Sequence, residues 1–334
     1  MSVRLSVIIP GYRTPDALWR RCVESVLCNL GDDDEVICVD DASPAFPQIL
    51  DVLGREDGRI SVVRLPENRG QAYARNAGLE RARGRYAAFV DSDDELLPGI
   101  YAKAISAIEC DGTDIAVYGV RTVWFRDSLL RNDSQPRERL GVLDAKSLRR
   151  LLDARLFNYP WNKIYRKDFL DANGIRFVEK CIPREDEAFN LDCAIARAAW
   201  TVLPDIGHVY YHQSGTSLSR YRRYAVECEK IVARRWMKCR AVLRDADGLL
   251  SDRGNLDEAR LLRIEWENMW RRETPYSMLE RWRWLAAHRE LGGFFRFLGT
   301  WMFSFCRAHF YFRPVRRWHI KKTAKGRLEE MGGA

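Results

Sequence analysis

The sequence predicts an α/β fold with a mainly parallel central sheet, followed by an α-helical C-terminal region. Three observations predict it. Short continuous apolar runs recur between helical patterns, which is how strands covered on both faces by helices read. Two of those runs end abruptly in carboxylates, one at Asp40 and Asp41, the other at Asp91, Asp93 and Asp94. From about residue 221 onward the strand-like runs stop, and helical spacing rich in Arg and Trp takes over.

The elements follow in order. LSVII (5–9) is an apolar run of the kind buried on both faces. Residues 15–28 carry Leu18, Cys22, Val26 and Leu27 at helical spacing, with Thr14 as N-cap and Pro15 at the first helical position. EVICVD (35–40) and ISVVRL (60–65) are the second and third strands, and residues 71–82 read as a helix. RYAAFV (85–90) is a fourth strand, residues 98–110 a helix with Pro98 near its start, and DIAVYGVRTVWF (114–125) a long strand. This alternation implies parallel strands joined by crossover helices. Residues 131–139 are polar and charged and read as a surface loop. Helices are expected over 144–155 and 185–199, and short strands near 201–203 and 208–212. A composition shift near 218 separates a first region, 1–218, from a second, 219–334.

The bulk composition narrows the class. At 46% apolar residues over 334 positions the chain can build a proper core and is not disordered. Nine cysteines, an odd number with no CxxC spacing, read as reduced core residues of a cytoplasmic protein. No second Cys or His lies at zinc-ligand spacing. In MSVRLSVIIPGY, Pro10 cuts short the apolar run that a signal peptide would need. The net charge of +8 is concentrated: residues 281–330 hold twelve Lys or Arg against three acids. The rest is near neutral, which argues against a nucleic-acid groove through the body.

The strand-end carboxylates need a reason. In open α/β sheets, ligands bind outside the carboxyl ends of the strands. Parallel strands would bring both acid groups to one edge, where they would repel and in part protonate. A bound divalent cation removes that conflict. Hard oxygen donors suit Mg²⁺ or Mn²⁺, which keep waters and share substrate phosphates. The same acids also suit a turn with helix-capping carboxylates.

Three motifs, in order and spacing, resemble one family: VIIPGYR (7–13), VDDASP (39–44) and NRGQAYARNAGLERARGRYAAFVDSDD (68–94). They are similar to the family 2 glycosyltransferases, which have the Rossmann-like, nucleotide-sugar-binding GT-A fold. YPWNKIYRKDFL (159–170), PREDEAFNL (183–191) and VYYHQSGTSLS (209–219) resemble the later part of bacterial members that build surface polysaccharides. The likeness covers roughly residues 3–219.

The resemblance implies residue roles. Pro10 and Tyr12 would line the nucleotide pocket. Asp41 would hydrogen-bond the base, uracil in many members, and Arg75 would approach the base or diphosphate. Asp91 and Asp93 would be the Asp-x-Asp pair, with Asp93 the direct metal ligand and Asp91 facing the ribose or a metal-bound water. Asp186 would be the catalytic base, with Glu185 the second choice, and His212 would sit near the diphosphate or metal. The resemblance thus implies an inverting, Mn²⁺- or Mg²⁺-dependent transfer from a nucleotide-sugar donor, a UDP-sugar in many members, to a saccharide or lipid-linked acceptor. Trp161 and Asn162 are candidates for the acceptor site, Trp161 equally for the core. One position departs from the family: Arg13 stands where Asn usually follows the motif tyrosine.

The chemistry agrees with these types. A metal stabilises a leaving diphosphate, and one carboxylate opposite it serves as base for the acceptor hydroxyl. Each acid has a plainer reading: Glu185, Asp186 and Glu187 also suit a helix start, and Arg75 and His212 suit solvated and packing roles. A nucleotidyltransferase would want a Gly-rich phosphate loop after the first strand, and PGYRTP lacks one. A silent nucleotide-binding relative of the same fold remains the alternative. Arg296 and Arg307 interrupt the aromatic, basic stretch 291–322, so it is expected either to lie on an anionic membrane at the inner face of the cell membrane or to pack on the catalytic body.

Overall fold

The computed structural model describes residues 3–124, 129–179, 181, 184–212 and 225–251. The chain divides into one compact unit, Met1–Leu256, and a second, Asp257–Ala334, which falls outside the described residues. The basic stretch 281–330 therefore also lies outside them.

The order of elements is β1 (Leu5–Gly11), α1 (Asp16–Leu27), β2 (Asp34–Asp40), α2 (Gln48–Glu56), β3 (Ile60–Arg64), α3 (Gln71–Arg81), β4 (Tyr86–Phe89), β5 (Glu95–Leu96), α4 (Ile100–Asp111) and β6 (Ile115–Trp124). Then come β7 (Leu129–Asp133), β8 (Glu138–Val142), α5 (Ala145–Asp153), β9 (Lys163–Arg166), α6 (Lys167–Ala172), α7 (Glu185–Ile195), β10 (Ala199–His212) and α8 (Ala225–Leu243). One sheet runs β3-β2-β1-β4-β9-β6-β10-β5, with β7 on β6 and β8 on β10. The pairs β3–β2, β2–β1, β1–β4 and β6–β10 are parallel. β9 is inserted antiparallel between β4 and β6.

The apolar runs become the central strands because both of their faces are covered. Along β1, Val7 and Ile9 enter the cluster with α1, α2 and α4, while Ile8 enters the opposite cluster with α3, α5, α7 and α8. The alternation is that of a pleated strand inside three layers. The same faces fix the entry of β2. Asp34 takes the Arg4 guanidinium at 2.7 Å, and Glu35 takes Ser6 Oγ at 2.7 Å and Arg83 Nη2 at 2.6 Å.

Several expectations are corrected. Thr14 does not cap α1: its hydroxyl pairs with Ser92 Oγ at 2.7 Å, and the cap position is Pro15. Residues 131–139 are not simply a loop, because β7 and β8 occupy its two ends. Both carry charged side chains and are partly exposed, so they lack the apolar period that marks a strand. The two short strands near 201–212 are one strand, β10, with register shifts between Val202 and Ile206 and between Ile206 and His208. Pro204 falls inside the irregular stretch, where it removes no ladder bond to β6. Gly207 is needed there, since a Cβ would stand 2.2 Å from Ile100 Cγ1.

Candidate active site

The topology collects the acids at one edge. β1, β2 and β4 are parallel, so Tyr12, Asp41 and Asp91 leave their strands on the same side of the sheet. β9 runs the other way, with Ala88 opposite Ile164, so the residues preceding β9 arrive at that same edge. Parallel β6 and β10 bring the His208–His212 end of β10 there too.

The four carboxylates of the turn after β4 have different partners. Asp91 Oδ1 accepts from Gln71 Nε2 at 2.6 Å and from Arg75 Nη2 at 2.8 Å. Asp94, fully buried, shares a 2.9 Å hydrogen bond with His208 Nε2 and accepts from the Tyr211 amide at 3.1 Å. Glu95 pairs with Arg21 and accepts from the Tyr211 hydroxyl. The Asp93 carboxylate accepts no hydrogen bond from any described side chain; only its carbonyl is held, by Arg21. Burial, then the charges of Asp94 and Asp91, push Asp93 up to about 7. Burial pushes Asp94 well above the ordinary carboxylate value and His208 down to about 3, so the pair favours its neutral forms.

Arg75 joins this turn to a distant helix. Its guanidinium is fully buried and donates through Nη1 to Asp186 Oδ1 at 2.5 Å and through Nη2 to Asp91 at 2.8 Å. It lies 5.2 Å over the Phe177 ring. Burial works against its charge, but Asp186 and Asp91 outweigh burial and hold it cationic. Asp186 and Glu185 open α7, and their environments differ. The Asp186 side chain is 22% exposed, and burial, opposed by Arg75, sets its carboxyl at about 6. Glu185 is 4% exposed, its Oε2 has no partner, and burial followed by the Asp186 charge pushes it up to about 8. Helix α7 is anchored from behind by α8, through Trp236 Nε1 to Glu187 and Arg235 to Asp192.

The first-motif residues lie across the turn. Pro10 is buried in β1 opposite Val39, and Tyr12 beyond it is 38% exposed. Arg13 has φ 56°, a left-handed conformation that Asn adopts more readily than Arg, which accounts for the family's usual choice there. Asp41 is buried, and its carboxylate accepts from Asn68 Nδ2 at 2.9 Å and from the amides of Arg69 at 3.1 Å and Gly70 at 2.8 Å. It therefore holds the loop that starts α3, where Gly70 takes φ 95°. Its neighbour Asp40 is wholly buried with Oδ1 unpartnered.

The sequence signature of Glycosyl transferase family 2 matches residues 6–174, half of the chain. The chain belongs to that family. Among relatives, Succinoglycan biosynthesis protein ExoO of Rhizobium meliloti is 30% identical over 226 residues, which are 66% of this chain and 63% of that protein. Uncharacterized glycosyltransferase YibD of Escherichia coli is 34% identical over 183 residues, 52% of each chain. The chain thus spans between half and just under two thirds of the length of such curated relatives. Among solved structures, S. aureus TarS 1-349 in complex with UDP-GlcNAc superposes with a TM-score of 0.57 at 19% identity, covering 80% of each chain. That likeness supports the GT-A-like fold.

The remaining motif residues divide between the core and this edge. Trp161 and Asn162 are 4% and 0% exposed, so both belong to the core and do not line a surface pocket. His212 is at the exposed end of β10, with Trp124 and Tyr210 as its ring neighbours at 6.0 and 6.2 Å. The histidine that meets the acid turn is His208. Its signal was the spacing of two histidines four apart, which places both on one face of a strand. Gln71, the second ligand of Asp91, carried no signal of its own.

For a divalent cation the donor set fits in a limited way. Among the described residues no group of three or more His, Cys, Asp or Glu is placed to hold a metal ion. Asp93, unpartnered, and the second oxygen of Asp91 offer hard oxygen donors. Mg²⁺ takes one or two carboxylates and completes its shell from phosphates and water, so these two residues suffice for that mode.

Proposed function

We propose that this protein is an inverting glycosyltransferase that moves a sugar from a UDP-sugar to a hydroxyl of a saccharide or lipid-linked saccharide during assembly of a surface polysaccharide. One observation carries the reading: a single buried guanidinium holds the strand-end acid Asp91 and the helix acid Asp186 on its two nitrogens. The donor-side acid and the base therefore stand on either side of one rigid group. The names of the relatives and the UDP-GlcNAc bound to TarS support the substrate class.

Asp186 is the base. It is partly open to solvent, and its charged form accepts the acceptor proton above about pH 6. Glu185, buried and favouring its protonated form, stands behind it. Attack from the face opposite the leaving group gives inversion. Asp93 and Asp91 would hold Mn²⁺ or Mg²⁺, which when bound supplies positive charge to the leaving diphosphate. Tyr12, with the Arg13 guanidinium 5.1 Å over its ring, receives the nucleoside. No helix among the described residues is long and apolar enough to cross a membrane. The basic stretch 281–330 would dock the enzyme on anionic lipid at the inner face of the cell membrane.

The test is thermal stability against UDP, UDP-GlcNAc and other nucleoside diphosphates, with and without Mn²⁺. Binding to the native state raises the melting temperature by mass action. A uridine-selective rise that needs the metal is expected; no shift with any nucleotide would sink the reading.

A further inference from the structure

Among the described residues, only two Phe, Tyr or Trp side chains are exposed: Tyr12 at 38% and Tyr159 at 42%. They flank the acid turn. The strand order β1-β4-β9 puts the exit of β1, with Tyr12, on one side of Asp91 and the segment entering β9, with Tyr159, on the other.

The mount of Tyr159 is costly and rigid. One face of its ring is stacked on Trp161 with centroids 4.7 Å apart, and Trp161 in turn stacks on His208 at 4.2 Å. His208 is bonded to Asp94, so the platform is tied to the acid turn by continuous contact. The turn beneath is held by a fully buried lysine: Lys163 Nζ donates to the carbonyl of Leu156 at 2.7 Å, to the Tyr159 carbonyl, and to Asn162 Oδ1 at 2.8 Å. Asn162 Nδ2 donates to the carbonyls of Tyr118 and Leu156, both at 3.2 Å. Burying a lysine is expensive unless its bonds are made, and burial pushes the Lys163 amine well below its ordinary value. Here that expense fixes a turn whose outermost side chain is an exposed aromatic.

The surroundings match a sugar. A pyranose has an apolar C–H face and a rim of hydroxyls, so it needs a flat apolar platform bordered by hydrogen-bonding groups. Asp186 is tied through Arg75 to Asp91, beside which the segment carrying Tyr159 arrives, so its carboxylate shares this edge with the ring. Arg155 is exposed; its amide donates to the Leu152 carbonyl, and its guanidinium makes no hydrogen bond among the described residues. We propose that Tyr159 is the stacking platform of the acceptor: a pyranose lies on its open face with one hydroxyl directed at Asp186. The proposal rests on the glycosyltransferase reading and adds to it the acceptor subsite.

The test uses the full chain with UDP-GlcNAc, Mn²⁺ and a panel of methyl glycosides and disaccharides ending in glucose, galactose or N-acetylglucosamine. UDP release is measured against saccharide concentration for wild type, Tyr159→Ala and Tyr159→Phe. The expected result is a tenfold or larger loss of kcat/KM for the saccharide in Tyr159→Ala, and a change of threefold or less in Tyr159→Phe, which keeps the ring. The UDP–Mn²⁺ thermal shift reports donor binding and folding in each variant. Should Tyr159→Ala fail to fold, saturation transfer from wild-type aromatic protons to the glycoside C–H face, weakened in Tyr159→Leu, decides. Unchanged saccharide kinetics in Tyr159→Ala, an equal loss in Tyr159→Phe, or no saccharide response in a wild type that binds UDP would overturn the platform alone. A wild type that binds no nucleotide overturns the glycosyltransferase reading and the platform with it.

Discussion

The block β3-β2-β1-β4 and the block β9-β6-β10 build the same edge by different means. In the first, each strand is a short apolar run, all pairs are parallel, and the functional residue follows the strand within a few positions. In the second, strands of both directions mix, the flanking β7 and β8 carry charged side chains, and functional residues precede or lie within strands. The first block is local chemistry repeated. The second is assembled by long-range contact, and Arg75 is where they meet, linked to a residue 111 positions away.

The largest expected effect comes from silencing one side. Asp186→Asn should lower transfer by roughly 10²–10⁴-fold, the usual worth of a positioned base. The UDP–Mn²⁺ thermal shift should survive, because the first block is untouched. Loss of both together would mean the blocks cannot be separated. Next, Arg75→Met breaks the junction itself. Two carboxylates lose their shared cation, and unfolding in urea should show a loss of roughly 3–5 kcal/mol. A loss below 1 kcal/mol would show that the blocks are held together elsewhere.

A smaller effect tests the second block alone. Glu185 is raised from 4.5 to about 8, so the fold favours its protonated form. Its contribution to stability is complete below pH 4.5 and is lost as pH rises through about 8. Glu185→Gln cannot ionise. The gap between variant and wild type should therefore grow from near zero at pH 4.5 to about 1–3 kcal/mol at pH 8 in chemical denaturation. A gap that is flat with pH would contradict the burial of an ionisable group there. The smallest effect belongs to the first block. Arg13→Asn places a residue tolerant of left-handed backbone at φ 56° and should stabilise by about 0.5–1 kcal/mol. Destabilisation would mean that the Arg13 contact with Tyr12 outweighs the backbone strain.

The same contrast decides what could be read before any coordinates. LSVII, EVICV and YAAF are buried on both faces, so their composition announces strands, and the acids after them announce an edge site. The acids at the start of α7 were equally legible. β7 and β8 were hidden because partly exposed strands carry charges at ordinary surface spacing. The sequence left Trp161 open between acceptor site and core, and it lies in the core with Asn162: a motif records that a residue matters, not whether it faces ligand or core. His208 was not singled out because its partner Asp94 lies 114 positions away in the chain. Arg75 was read toward the donor or toward solvent, since nothing near it in the chain reveals the partner at Asp186.

The reversed direction of β9 has a consequence for engineering. Most strands at this edge offer their exits, so changing the adjoining loops disturbs the start of the next helix. β9 offers its entrance, and the turn over residues 156–161 is clamped from below by Lys163 and Asn162 through backbone carbonyls, at Leu156 and Tyr159. Those clamps ignore side-chain identity. The turn is therefore an exchangeable cassette: its outward residues can be rewritten while the strand and its anchors stay as they are.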